Sequence, residues 1–332
     1  DDKLIKGRKM CTSFQLKSSD GGLVFARTMD WHTFNAAALV LPRNYEWTSV
    51  YNNQKMINPY AILGVGNSEM RLHADISDGV NEYGLAAQKL TFSNQSDYAK
   101  EAEKGKVQLA AFEFLLWLLG NCRSIEEVRQ NIDNVQLMTD ENAIYKFGRN
   151  DLHFSATDPS GQMINIEPHG GRLVISDNPI GVVTNAPKFE NEVEKLRTYM
   201  DINLLTESEN TSVSKNEDSN SSLENLSVKN DNPNQISTGS FNGKPVFPGG
   251  FTPTARFIRA AIYKERAVYP KDEQQNIVEA WHILNGVTVP KSEGRSGTYT
   301  VYRSAVEVNS RRLYLQTYDD LSIQVYRFPD EL

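Results

Sequence analysis

Between Thr12 and about Gln88 the sequence alternates short β-forming runs with clusters of Gly, Asn and Asp, and this punctuation limits the fold more than any other feature. Runs this short, closed by signals such as SDGG and NEYG, suit hairpins, so the segment reads as an antiparallel meander. The expected strands are Thr12–Lys17, Leu23–Thr28, Ala37–Leu41, Thr48–Tyr51, Ile62–Val65 and Gly84–Lys89. Next, Val107–Leu119 is apolar on most sides, which implies a buried helix, and Ser124 with Glu127 forms a capping box opening IEEVRQNI. Strands return at Leu152–Thr157, Met163–Glu167, Arg172–Ser176 and Gly181–Thr184. PGGFTPTARFIRAAIYKERA enters a helix near Pro253, NIVEAWHILNGV is another, and Gly297–Val308, Leu313–Thr317 and Ser322–Phe328 close the chain as strands. Sheet, two helices, sheet, two helices, sheet implies an α+β fold: a four-layer αββα sandwich of two antiparallel sheets flanked by helices.

One stretch stands apart. Glu207–Ser240 is dominated by Asn, Ser, Glu, Asp and Lys, and reads as a polar, mobile insertion at about 207–240. Elsewhere no linker divides the chain, so residues 11–332 read as a single domain, and 39% apolar residues suffice for its core. The first ten residues, DDKLIKGRKM, are polar without an apolar h-region and read as a leader or tag removed before activity. A formal charge of −7 argues against nucleic acid as a partner. No apolar run approaches the roughly 18 residues of a membrane anchor. Cys11 and Cys122 are too few for a disulfide framework, and His32, His73, His153, His169 and His282 are scattered without metal-ligand spacing. The GxG at Gly64–Gly66 lacks the rest of a dinucleotide fingerprint. The expectation is a cytoplasmic protein with no cofactor and no metal.

The chemistry concentrates at Cys11, directly after Met10. Cleavage of that peptide bond would place a thiol and a free α-amine on one residue, a nucleophile with its own base. Arg27 and Asp30 end the next run, where a hairpin returns them to Cys11: a cation to favour the thiolate, a carboxylate to hold the ammonium. On their own the two would be an ordinary strand-end ion pair. Trp31, His32 and Phe34 follow and could line a pocket for an apolar acyl group or steroid, with packing the equal alternative.

Cys11 after Met10, FARTMD (Phe25–Asp30), PRNY (Pro42–Tyr45), DGVNEYGL (Asp78–Leu85), LLGNC (Leu118–Cys122), VTNAP (Val183–Pro187) and PGGFTPTARF (Pro248–Phe257) together resemble the choloylglycine hydrolase family. That family contains conjugated bile salt hydrolases and penicillin V acylases, both N-terminal-nucleophile (Ntn) hydrolases, and the resemblance runs from Cys11 nearly to the C-terminus. It implies Cys11 as nucleophile, Arg27 and Asp30 beside it, Asn185 as an oxyanion-hole donor and Arg256 as a further active-site cation. Where relatives carry Asn or Tyr this chain has Thr91, whose backbone N–H the resemblance makes the second oxyanion donor and whose side chain bears on substrate choice. FARTMD and FTPTARF look closer to the penicillin V acylases. The implied activity is therefore an autoactivated cysteine amidohydrolase acting first on penicillin V, with glycine- and taurine-conjugated bile salts or N-acyl homoserine lactones as alternatives. A catalytically silent binding protein of the same fold is the contrasting class. By resemblance the assembly is a homotetramer.

Overall fold

The computed structural model of the chain describes residues 10–32, 35–67, 73–139, 150–202, 232–236, 247–292 and 297–331. Two fully antiparallel sheets are its frame. The first joins β1 (Met10–Lys17), β2 (Leu23–Trp31), β14 (Val182–Val183), β15 (Tyr299–Glu307), β16 (Arg312–Thr317) and β17 (Gln324–Tyr326) in the order β14-β1-β2-β15-β16-β17. The second joins β3 (Ala36–Leu41), β6 (Ile62–Asn67), β7 (Asp75–Asn81), β8 (Ala86–Thr91), β11 (Leu152–Thr157), β12 (Met163–His169) and β13 (Arg172–Asp177) in the order β13-β12-β11-β8-β7-β6-β3.

Strand alternation sorts the side chains into three apolar layers. Phe14, Leu16, Val24 and Ala26 face helices α3 (Phe189–Leu196), α4 (Pro253–Arg266) and α5 (Glu273–Val287). Ile62, Ile76, Phe154 and Ile166 face α1 (Phe114–Asn121) and α2 (Ile125–Asn131) on the far side. Phe25, Met29, Leu63, Val65, Val80 and Leu90 meet between the sheets. This is the four-layer αββα sandwich expected, with both faces of each sheet covered.

Two β-bulges aim polar side chains into the space between the sheets. Val65 pairs with Asp78 but Gly66 with Ile76, leaving Ser77 as the extra residue of β7. Likewise Asp30 pairs with Thr300 but Met29 with Tyr302, leaving Val301 extra in β15. An inserted residue switches the alternation, so Ile76 lies in the outer core while Asp78 points between the sheets. Gly64 and Gly66 serve this close approach, since a Cβ on Gly64 would meet the Asp78 carbonyl at 2.5 Å.

Several local expectations shift. Val107–Leu119 is not one helix: β9 (Val107–Leu109) pairs in parallel with β10 (Val135–Leu137), and α1 starts only at Phe114. The cause is Glu113, whose buried carboxylate accepts the backbone N–H groups of Ala110 (3.0 Å) and Val50 (2.7 Å), anchoring the chain just ahead of the helix. The expected strand Thr48–Tyr51 is instead the end of β4 (Tyr45–Thr48) at Thr48 followed by the loop to β5 (Lys55–Asn58), where the same Glu113 takes the Val50 N–H. Ser124 caps α2 by accepting from Glu127 N at 3.2 Å, while the Glu127 carboxylate takes Arg123 N instead of the cap residue. Thr252 and Pro253 open α4, and Asp272 caps α5 by accepting from Gln275 N, so α5 starts ahead of NIVEAWHILNGV. Within the supposed mobile insertion, Asn234 docks on β1, donating to Lys17 O and accepting Lys17 N, both at 2.7 Å. Apart from residues 232–236, the segment 207–240 lies outside the described residues, as does the leader to residue 9. Among the described residues no helix is long and apolar enough to cross a membrane.

Lys264 on α4 is fully buried and donates to Ile180 O (2.8 Å), pinning the turn that leads into β14. Burial, aided by nearby Lys17 and opposed by Glu265, lowers its pKa from the ordinary 10.5 to about 7. Below about pH 7 the ammonium is protonated in folded and unfolded chains alike, and the folded state carries the full burial cost. Between about 7 and 10.5 only the unfolded chain holds the proton, so this group makes stability rise with pH. Urea denaturation at pH 6.5 and 9 should therefore show Lys264→Met gaining most over wild type at the lower pH; equal gains at both would refute the depressed ammonium.

Candidate active site

The β1–β2 hairpin brings Cys11 opposite Met29 and Met10 opposite Asp30, as the sequence requires of a tight SDGG turn. Alternation then sends Arg27 and Asp30 to opposite faces of β2. Arg27 points between the sheets toward the Cys11 thiol; Asp30 points toward the helix layer. Each acid or base thus meets a different partner.

Arg27 is completely buried. Its Nη1 donates to Ser77 O (3.0 Å), the carbonyl of the β7 bulge, and to Lys89 O (2.9 Å), beyond the last β7–β8 pair. Asp78 lies 3.6 Å away and accepts hydrogen bonds from Tyr302 (2.5 Å) and Ser304 (2.7 Å) on β15. Burial opposes the Arg27 charge, but Cys11, Tyr302 and Asp78 outweigh it and raise its pKa above the ordinary value. Burial pushes the Asp78 carboxyl up, against the pull of Arg27 and the two hydroxyls. Met29 bridges the group, its sulfur 3.9 Å from Cys11 Sγ and 3.6 Å from Arg27 Nη2.

On the helix side, Asp30 accepts from Thr300 Oγ1 at 2.6 Å and sits 3.8 Å from Arg256 of α4. Burial moves both toward their neutral forms, Asp30 upward and Arg256 downward, each opposed by the other's charge. Arg256 Nη1 donates to Cys11 O (2.5 Å) and Thr12 Oγ1 (2.6 Å), and Nη2 to Asn185 Oδ1 (2.9 Å). The same Oδ1 accepts the Cys11 N–H at 2.7 Å, and Asn185 Nδ2 donates to Thr91 O at 2.8 Å. Both lone pairs of Oδ1 are used, so the amide is fixed with one Nδ2 hydrogen still available to a substrate oxygen.

Cys11, Arg27, Asp30, Asn185, Arg256 and Thr91 therefore converge. Trp31 packs on the inter-sheet core, His32 is exposed beside Gly297, and Phe34 lies outside the described residues. Sequence reading missed Asp78, Tyr302, Ser304 and Met29 as site residues, although Asp78 and Met29 stand within DGVNEYGL and FARTMD, and no local signal marks the bulges that aim these side chains. Among the described residues no cluster of His, Cys, Asp and Glu could hold a metal ion.

Residues 11–331 match the family model described as linear amide C–N hydrolases, choloylglycine hydrolase family. The chain is 30% identical to a bile salt hydrolase/transferase of Clostridium perfringens, over 95% of this chain and 91% of that protein. A crystal structure of a conjugated bile acid hydrolase variant from the same organism superposes with a TM-score of 0.77 at 27% identity, covering 97% of this chain and 93% of the other. A penicillin V acylase of Pectobacterium atrosepticum is 27% identical over only 54% of this chain and 49% of its own length.

The inter-sheet network yields a stability prediction. Asp78→Ala leaves Arg27 buried without its carboxylate and should cost about 3–5 kcal/mol in urea denaturation. Tyr302→Phe, which removes one donor to that carboxylate, should cost about 1.5–3 kcal/mol. An unchanged midpoint in Asp78→Ala would show that the Arg27 charge is compensated elsewhere.

Proposed function

This chain belongs to the choloylglycine hydrolase family of linear amide C–N hydrolases, and we propose that it hydrolyses the amide of glycine- and taurine-conjugated bile salts from an N-terminal Cys11. The observation carrying the mechanism is the single polar centre in which Asn185 Oδ1 accepts the Cys11 nitrogen while Arg27 faces the thiol. Once the Met10–Cys11 bond is cut, the α-amine inherits the Asn185 contact. With Met10 attached, that nitrogen is an amide and has no basic lone pair, so the chain with its leader is the inactive precursor.

In the reaction, Cys11 Sγ attacks the substrate carbonyl and its proton passes to the α-amine, with Arg27 supporting the thiolate. The remaining Nδ2 hydrogen of Asn185 and the Thr91 N–H stabilise the oxyanion, a contribution of roughly 3–4 kcal/mol per donor in a well-studied protease. The ammonium, held through Asn185, then protonates the leaving amine as the thioester forms. Water, deprotonated by the amine, releases the acid and restores the thiol.

For the substrate, the full-length sequence likeness to bile salt hydrolases supports conjugated bile salts over penicillin V, since the penicillin V acylase of Pectobacterium atrosepticum matches only about half of the chain in sequence. This reverses the order that FARTMD and FTPTARF suggest, since those short motifs surround the nucleophile common to both activities and do not describe the acyl pocket.

Cys11→Ala should bring turnover to background, since losing the nucleophile costs about 10⁶-fold in a well-studied serine protease. Intact mass should show Cys11 as the first residue of every active preparation; turnover with the leader present would refute the α-amine mechanism. The processed enzyme should favour glycocholate or taurocholate over penicillin V by about tenfold or more in kcat/KM. A preference for penicillin V would overturn the substrate assignment while leaving the nucleophile in place.

A further inference from the structure

Asn185 must present one hydrogen to an oxyanion while its other groups are tied to Cys11, Arg256 and Thr91, so whatever holds its backbone matters. That backbone is held by a buried imidazole. His153 on β11 is 1% exposed, and its Nε2 lies 2.8 Å from the carbonyl of Thr184, the residue before Asn185. A carbonyl only accepts, so Nε2 carries the proton. One face of the ring stacks on Phe92, the residue after Thr91, with centroids 4.3 Å apart and planes 8° from parallel. A closed circuit results: His153 to Thr184, Asn185 to Thr91, Phe92 back to His153.

The rear of the ring is equally specific. Nδ1 faces Glu167 Oε1 of β12 at 3.7 Å, and neither atom has a hydrogen-bond partner among the described residues. Both line a narrow cavity with Thr184, Asn185 and Glu192. At that distance the carboxylate makes no hydrogen bond to the ring, so the Phe92 stack orients the imidazole and the Nε2 hydrogen bond ties Thr184 to the second sheet on this side.

We propose that His153, held by its stack on Phe92, is a positioning residue that fixes Asn185 and the Thr91 segment relative to each other, and so sets the geometry of the oxyanion site. The inference rests on the reading of Asn185 as an oxyanion donor. His153 bonds Thr184 and stacks on Phe92 rather than meeting Cys11, which separates its consequences from loss of the thiol.

The experiment compares two isosteres in the processed enzyme. Gln at 153 places its amide nitrogen where Nε2 lies and keeps the bond to Thr184 O; Asn places it near Nδ1 and cannot reach. His153→Asn should lower kcat by about 30- to 100-fold, as an ångström-scale misplacement of a catalytic group does, with KM within about threefold. His153→Gln should recover to within about fivefold of wild type. The aldehyde matching the acyl group that wild type turns over forms a thiohemiacetal, and its affinity should fall in His153→Asn in parallel with kcat. Iodoacetamide alkylation of Cys11 should stay unchanged, a split that general loosening of the fold would not produce. Equal behaviour of the Asn and Gln variants, or lost kcat with aldehyde affinity intact, would overturn the proposal. Asn185→Ala is the control: if it binds the aldehyde as wild type does, the oxyanion reading itself fails, whereas loss there without loss in His153→Asn refutes only the positioning role.

Discussion

A guanidinium buried between two sheets is the constraint on which the rest of this structure depends. An isolated charge there would cost many kcal/mol, so the fold must bring a carboxylate and several oxygens to the same point. It does so with two bulges. The extra Ser77 turns Asp78 inward and offers its own carbonyl to Arg27. The extra Val301 lets β15 bind Asp30 through Thr300 on the helix side and Asp78 through Tyr302 on the inner side. Thr300 and Tyr302, two residues apart, thereby face opposite sides, which unbroken alternation would forbid.

The second organising point is the Asn185 amide, where the β1 end, the β8 end and α4 meet. Its Oδ1 accepts from Cys11 N and from Arg256, so in the proposed mechanism this contact would pass to the α-amine on cleavage. On that proposal, processing would change the basicity of one nitrogen whose acceptor is already in place. The polar groups around Cys11 N are already fixed in the intact chain, which is the arrangement preorganised electrostatic catalysis needs.

The layers of the sandwich and the β1–β2 hairpin were legible because periodicity and turn residues are local. Thr12–Lys17 and Leu23–Thr28 fall inside β1 and β2, and the pairing of Cys11 with Met29 follows from the turn alone. Asn185 and Arg256 were legible only through resemblance, being far from Cys11 in sequence. Asp78, Tyr302 and His153 were not legible as site residues: a bulge inserts one residue without a compositional mark, and an ordinary histidine in a strand shows nothing of the carbonyl it meets. Asn234 was hidden by composition, since an Asn-rich stretch suggests solvent although its amide can imitate a paired strand. The same polar groups that made 207–240 look unstructured supply that bond.

The two cations buried beside Cys11, Arg27 and Arg256, are both arginines, and the molecule itself shows why. Lys264, on the same helix as Arg256 and just as buried, has a pKa of about 7 and spends it on one carbonyl. An ammonium at position 27 would meet the same desolvation and would be neutral over much of the range in which a thiolate needs it. A guanidinium starts so much higher that burial cannot discharge it, and its planar fork satisfies several oxygens at once. Arg27 uses this to reach Ser77, Lys89 and Asp78, and Arg256 to reach Cys11 O, Thr12 and Asn185. The charge beside the thiol is thus made permanent by the choice of side chain, and the fold has only to supply acceptors for its hydrogens.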